Sequence, residues 1–297
     1  MNSEILKGMG IEVKENFSLK NHISFKIDSI VAIAVFPENE SQLCNAVRIM
    51  RERDVRFVIL GNGSNLFFAD EYFDGAVIFT KGMKDMTVNG NKIIVLAGAS
   101  FTVLSSFALR NNLSGLEFAY GIPGTVGGAV YMNAGAYGGE VSDVLLSSRC
   151  YDMDTGEIKE IAYKEHDFGY RTSVYMKNDS LLCLGATFSL DVGDCEKIKE
   201  KMNANMSARR EKQPLEYANA GSYFKRPTGY FAGKLIEDCG LKGFSIGDAQ
   251  VSEKHAGFII NKGNATARDI LMLEEEVSRR VLERFGVTLE REVRVIK

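Results

Sequence analysis

Histidine and cysteine are scarce in this chain. Its three histidines, His22, His166 and His255, are too few and too far apart for a His-based metal centre. The five cysteines, Cys44, Cys150, Cys183, Cys195 and Cys239, are odd in number and widely separated, which fits neither a disulfide framework nor a zinc site. Long apolar runs are missing as well: none approaches the about 20 residues that a membrane-spanning helix needs. The opening stretch MNSEILKGMGIEVKENFSLK has scattered acidic residues and no apolar core, so no secretion leader is expected. There is no excess of positive charge. A formal net charge of −3 and a pI near 5.8 argue against a nucleic-acid or membrane-surface partner, so an anionic ligand has to be met by local charge. Repeats and low-complexity tracts are absent too. The expectation is a cytoplasmic, metal-free globular protein of about two domains.

What the chain does have is glycine in two places. The stretch GLEFAYGIPGTVGGAVYMNAGAYGGE, residues 115 to 140, sets glycines among aromatic and aliphatic residues with only Glu117 and Glu140 charged. Flexible linkers are polar, whereas Leu116, Phe118, Tyr120, Ile122, Val126, Val130, Tyr131 and Met132 give this segment enough apolar surface to be buried. Glycine is used where the backbone takes positive φ or where another group must come close to the main chain. Clustered backbone N–H groups hold anions. Together these features predict a buried backbone cradle for a large phosphate-bearing ligand. The second place is Gly61-Asn62-Gly63-Ser64-Asn65, directly after the apolar run Val55 to Leu60. It is neither GxGxxG, since Leu66 stands at the third glycine, nor a P-loop, since no GK[ST] follows. Alone it reads equally well as a tight turn.

Taken in order, residues 30 to 60 read as a βαβ unit, with Asn39 and Gln42 resembling a capping box and Leu43, Ala46, Val47 and Met50 on one helical face. Short apolar runs between 74 and 98 read as strands with a hairpin at Asn89-Gly90. Ser100 caps a helix, and strands are expected at 144–152, 157–163 and 181–190. The polar helix 195–212 is closed by Pro214. The last third offers a helix ending at Gly240, strands at 246–251 and 256–261, and a helix from Thr266 to Phe285 with Gly286 as C-cap. A final strand is expected from Val287 to Ile296, its alternation placing Glu292 and Arg294 on one side.

Several residues can carry chemistry, and each has a bland alternative. Glu292 and Arg294 together can bind an organic anion and steer a proton, or form a surface ion pair worth little. Ser222 follows a glycine and lies near Lys225 and Arg226, but Phe224 breaks the GxSxG pattern and histidines are too few for a triad. Its hydroxyl can protonate a strong base such as an enolate, or merely make a turn. Lys225 and Arg226 suit a pyrophosphate or simply solvate the surface. Arg171, beside Tyr170, either stacks or clamps a carboxylate.

Six motifs occur in one order: GNGSN, GIPGTVGGAVYMNAGAYGGE, FGYRTS, NAGSYFKRP, AGKLIEDCGLKGFSIGDAQVSEKHAGFIIN and LEREVRVI. In this order, from about residue 20 to 296, they resemble the UDP-N-acetylenolpyruvoylglucosamine reductase family. The resemblance implies an α+β fold: a two-subdomain FAD-binding portion of the vanillyl-alcohol-oxidase type over 1–194, divided at about 20–85 and 86–194, and a C-terminal α+β substrate-binding domain over 195–297 whose last strand can pack back on the FAD portion. It implies FAD held by Gly61, Asn62, Gly63, Ser64, Asn65, Gly121, Ile122, Pro123, Gly124, Thr125, Gly127, Gly128, Asn133, Ala134 and Gly135. Neither loop contains His or Cys, so the flavin is expected to be non-covalent. The family's catalytic trio falls on Arg171, Ser222 and Glu292, with NADPH as reductant and a nucleotide-sugar substrate. Tyr170, Lys225, Arg226 and Arg294 are assigned to substrate binding. Family members with an extra tyrosine loop carry it between the GYR and NAGS motifs. Here strand 181–190 and helix 195–212 fill most of that interval, which marks the shorter type. Two other readings stay open on residues alone: a different FAD oxidase or dehydrogenase acting on a sugar or hydroxy acid, and a non-catalytic flavin-binding module. The oligomeric state stays open as well.

Overall fold

The computed structural model describes residues 3–297. In chain order the main elements begin with α1 (Ser3–Gly8), β1 (Glu12–Ser18), β2 (Ile30–Phe36), α2 (Glu40–Glu52), β3 (Phe57–Leu60), β4 (Leu66–Phe68), β5 (Tyr72–Phe79), β6 (Met86–Asn89) and β7 (Lys92–Leu96). Next come α3 (Phe101–Arg110), α4 (Val126–Met132), β8 (Leu145–Asp152), β9 (Ile158–Ala162), α5 (Val174–Lys177), β10 (Leu181–Ser189) and α6 (Cys195–Lys212). The chain ends with β11 (Ala218–Asn219), α7 (Ala232–Asp238), β12 (Ser245–Ile246), β13 (Ala249–Val251), β14 (Ile259–Asn261), α8 (Ala267–Phe285) and β15 (Arg294–Ile296). Two compact units result. One holds the described residues through Glu15, Ile33–Asn62 and Gly75–Ala208, and the other Asn16–Ala32, Gly63–Asp74 and Arg209–Lys297.

Local signals set most of these elements. Asn39 caps α2 by accepting from the Gln42 amide at 3.0 Å, and Leu43, Ala46, Val47 and Met50 are buried on its inner face. The strand order β1-β2-β5-β3 departs from a simple βαβ pair, because β5 lies between β2 and β3. Burial explains the insertion. Ala76 to Phe79 of β5 are buried on both faces and suit an inner position, while Phe57, Val58 and Ile59 of β3 are only half-buried and suit an edge. β3 and β5 pair in parallel, Phe57 with Ala76 through Leu60 with Phe79.

The larger sheet of the first unit runs β9-β8-β10-β7-β6, all antiparallel neighbours. The β6–β7 hairpin turns at Gly90, whose φ of +60° a β-carbon would resist. Helices α3 and α4 are packed into the same core, where Phe101 meets Phe118 edge-on at 5.9 Å and Phe188 at 6.5 Å. Gly98 is set by close approach: a β-carbon there would lie 1.7 Å from the Thr80 carbonyl oxygen. A backbone oxygen cannot rotate aside, so Gly98→Ala is expected to lower unfolding free energy by about 1–3 kcal/mol or more, read from the urea midpoint.

A buried polar network also sits in this core. His166 Nδ1 lies 2.9 Å from the Ala162 carbonyl oxygen, which can only accept, so Nδ1 carries the proton. Nε2 then accepts from Ser148 Oγ at 2.7 Å, and Ser148 accepts from Tyr175 at 2.6 Å. Burial pushes the imidazole below its usual 6.5, chiefly by desolvating the charged form. A depressed histidine stabilises the fold above its unfolded pKa, and that contribution is lost as pH falls through the folded value. Urea midpoints should therefore drop below about pH 6.5 more steeply in the wild type than in His166→Gln. This comparison also subtracts the similarly depressed His255.

In the second unit α8 packs beside the antiparallel sheet β11-β14-β13-β12. Thr266 and Asp269 form a reciprocal capping box, Gly286 ends the helix at φ +67°, and Ile270, Leu273, Val277 and Val281 make the buried stripe. The expected terminal strand is shortened. Only Arg294–Ile296 is strand, paired in parallel with Leu66–Phe68, and a bend at Val293 separates it from Glu292. The cause is competition for amides: those of Glu292 and Val293 both go to the Tyr223 carbonyl, at 2.9 and 3.4 Å. Among the described residues no helix is long and apolar enough to cross a membrane, and no cluster of His, Cys, Asp and Glu is placed to hold a metal.

Candidate active site

In the first unit the two glycine stretches meet. A β-carbon on Gly61 would lie 2.3 Å from Thr125 Oγ1, and Asn62 Nδ2 donates to the Pro123 carbonyl at 2.7 Å. Most amides of the longer stretch are spent inside the chain. Gly121 donates to Thr102 Oγ1 at 3.1 Å, Ile122 to the Ala119 carbonyl at 3.1 Å, Val126 to Ala99 and Gly127 to Ala97 at 2.8 Å, and Gly128 to the Thr125 cap at 3.4 Å. Gly127 instead serves packing, since its β-carbon would stand 2.9 Å from that of Ala97. Within the first unit, the amides of Asn62, Gly124 and Thr125 have no acceptor among the described residues. These three N–H groups, two of them from the successive residues Gly124 and Thr125, fit an anionic diphosphate.

Arg171 is fastened to the end of the same stretch. Its Nη2 donates to the Gly135 carbonyl at 3.0 Å and its Nη1 to that of Asn133 at 3.5 Å, with the guanidinium 5.2 Å from the Tyr170 ring centre. Its φ of +55° is unusual for a side chain of this size. Asn133, fully buried and also left-handed, grips the loop from the other side: Nδ2 donates to the Gly169 carbonyl at 3.1 Å and to Glu140 at 3.0 Å, while Oδ1 accepts from the Ser142 amide at 2.9 Å. The Ala134 amide returns to Ala129, and a β-carbon on Gly135 would strike Glu140 at 2.7 Å.

The second unit brings Ser222, Glu292, Asn65 and Arg294 together. Gly221, at φ +82°, presents Ser222 to solvent, and the next residue, Tyr223, is buried and accepts the Glu292 amide. Asn65 Nδ2 donates to the Glu292 carbonyl at 3.2 Å, and the Arg294 amide donates to the Asn65 carbonyl at 2.9 Å. Gly63 is forced by the His22 carbonyl, which a β-carbon would meet at 2.6 Å. Lys225 is ion-paired with Glu290, and Arg226 lies over the Phe231 ring at 5.0 Å. The sequence reading passed over Asn133 as a support of Arg171, and over Tyr223, Glu274 and Arg291 altogether. Tyr223 and Arg291 are the immediate neighbours of Ser222 and Glu292, which is the one signal that pointed to them.

Comparison with known proteins places this geometry. Residues 213–296 match the family model described as UDP-N-acetylenolpyruvoylglucosamine reductase, C-terminal domain, and residues 31–162 match an FAD binding domain. A UDP-N-acetylenolpyruvoylglucosamine reductase of Clostridium novyi (strain NT) is 47% identical over 285 residues, 96% of this chain and 92% of that one. The chain belongs to the UDP-N-acetylenolpyruvoylglucosamine reductase family. Another reductase of this name, from Caldanaerobacter subterraneus, is 45% identical over 99% of the chain. The solved UDP-N-acetylenolpyruvylglucosamine reductase of Thermus caldophilus superposes with a TM-score of 0.81 at 33% identity, covering 97% of this chain and 99% of that one. The expected α+β class with an FAD-binding portion is therefore what this reductase-family member has. Both glycine loops fall inside the FAD-binding match, Ser222 and Glu292 inside the C-terminal reductase match, and Arg171 between the two.

Proposed function

We propose that this protein reduces UDP-N-acetylenolpyruvoylglucosamine to UDP-N-acetylmuramate in the cytoplasm, for peptidoglycan precursor synthesis, with NADPH as electron source and non-covalent FAD as carrier. The reading rests foremost on the bond from the Glu292 amide to the Tyr223 carbonyl, which draws Ser222 and Glu292 onto adjacent segments within a chain of this family. The division into an FAD portion through 194 and a substrate domain from 195 belongs to the same proposal, with the FAD-binding match at 31–162 and the reductase match at 213–296 lying on either side of it.

In this reading the amides of Asn62, Gly124 and Thr125 hold the FAD diphosphate, and Gly63 and Ser64 continue the FAD loop that begins at Gly61. Gly61, Asn65, Gly121, Ile122, Pro123, Gly127, Gly128, Asn133, Ala134 and Gly135 shape the surface around it. The chemistry FAD supplies when bound is hydride transfer, from NADPH to the enolpyruvyl C3 by way of N5. Arg171 polarises the enolpyruvyl carboxylate by its charge and Glu292, in its acid form, by donating a hydrogen bond, stabilising the charge that gathers on it as C3 gains hydride. Ser222 then protonates C2 and recovers its proton from solvent. An unperturbed serine is a poor acid near neutral pH, but an enolate is basic enough to take its proton. Tyr170, Lys225, Arg226 and Arg294 bind the nucleotide sugar, the cations facing its diphosphate.

Anaerobic stopped-flow tests this directly. Protein reduced with NADPH is mixed with UDP-N-acetylenolpyruvoylglucosamine, and flavin absorbance should return as the substrate is consumed. Reoxidation by a free sugar or hydroxy acid instead would assign the chain to another reaction, and a flavin never bleached by NADPH would make it a binding module.

A further inference from the structure

We propose that Glu274, on helix α8, is a positioning residue that sets the spacing of Ser222 and Glu292 by holding the residue beside each of them. The inference rests on the reading above, because it concerns the residues assigned there to proton delivery and carboxylate polarisation.

The geometry is a three-way tether on one carboxylate. Tyr223, which follows Ser222, donates its hydroxyl to Glu274 Oε2 at 2.8 Å. Arg291, which precedes Glu292, reaches both oxygens: its Nε lies 2.8 Å from each, and Nη2 lies 2.8 Å from Oε1. The Glu274 side chain is only 15% exposed, and Tyr223 is 1% exposed. The phenol is held protonated by burial and by the Glu274 carboxylate, so it remains a donor. The same two segments are joined by backbone. The Glu292 amide meets the Tyr223 carbonyl, the Lys225 amide meets the Glu290 carbonyl at 2.8 Å, and Phe224 faces Arg291 as a bridge pair. This ladder is short and irregular. Backbone pairing alone is weak over so few residues, and a slip of one position would turn either side chain away.

Glu274 supplies the missing constraint. A carboxylate taken out of water is costly unless its oxygens are filled, and here one phenol and one forked guanidinium fill them. No step of the proposed reaction calls for a carboxylate at this place. Other carboxylates of α8 that pair with arginine do so within the helix, as Glu276 does with Arg279 and Arg280. Glu274 reaches outward instead, to the two segments that bear Ser222 and Glu292.

Glu274→Gln keeps length and shape but removes the charge and turns an amide N–H₂ toward donors. The expected result is a flavin reoxidation rate with UDP-N-acetylenolpyruvoylglucosamine about tenfold to a hundredfold lower, the scale on which small misplacements act. FAD affinity and reduction by NADPH should stay at wild-type values. Because Glu274 works through Ser222 and Glu292, its loss should cost less in a Ser222→Ala background than in the wild type. Hydrogen exchange gives a readout without turnover: the Glu292 amide should exchange faster in Glu274→Gln. Should that variant fail to fold, Tyr223→Phe deletes one arm of the tether and is expected to act in the same direction with a smaller effect. Equal losses in both half-reactions, additive losses with Ser222→Ala, or unchanged exchange at Glu292 would overturn the inference. If wild-type protein itself ignores the substrate, the functional reading falls, while the exchange experiment still decides whether the tether exists.

Discussion

Ser222→Ala should bind FAD normally, be reduced by NADPH at the wild-type rate, and then reoxidise with UDP-N-acetylenolpyruvoylglucosamine roughly 10²-fold or more slowly, as when a general acid is removed. The separation between half-reactions comes from where the residue sits. Ser222 is exposed behind the left-handed Gly221, in the second unit, and is not among the three first-unit amides assigned to the FAD diphosphate. Removing one exposed hydroxyl should leave the fold intact, because Tyr223 keeps its own bonds to Gly257 and Glu274. In the proposed reaction the proton reaches C2 after hydride reaches C3, so the variant should also let solvent protonate C2 and lose stereochemical purity in the product. Reoxidation as fast as in the wild type would show that another group delivers the proton.

The same position shows how far a sequence reading reaches. Elements whose signals are local were legible. The ends of α6 at 195 and 212, the Thr266–Asp269 box and the Gly286 cap lie where the pattern puts them, because caps and helical periodicity involve residues a few positions apart. The placement of β5 between β2 and β3 was not, since strand order is decided by which run can be buried on both faces. The terminal strand was misread for a related reason. Alternation of burial from Leu289 to Val295 is real, yet the amides of Glu292 and Val293 are claimed by Tyr223, about seventy residues earlier in the chain. The glycine loops were recognised as candidates, but not that Gly61 and Thr125 touch, nor that most amides of the longer loop are already spent. Glu274 was invisible: on a helix pattern it is one acidic residue among several.

Arg171 carries the second large effect. Arg171→Lys retains the charge, so if the site needed only a cation the variant would work. The structure argues otherwise, because the guanidinium is oriented by two carbonyls, Asn133 and Gly135, at fixed positions on a fork that an ammonium does not have. Its backbone is held at φ +55° by the Gly169–Thr172 bridge and by the Asn133 side chain on the Gly169 carbonyl, a strained conformation that orients one side chain. A lysine on this backbone keeps the strain and loses the orientation. Losing one such stabilising donor typically costs about 10²–10³ in turnover, and that loss is expected in flavin reoxidation, with reduction by NADPH unchanged. In the proposed reaction the added charge gathers on the substrate carboxylate only as hydride arrives, so kcat should fall further than KM rises. A variant that raised KM alone would mean that Arg171 binds the ground-state carboxylate without stabilising the charge that develops on it.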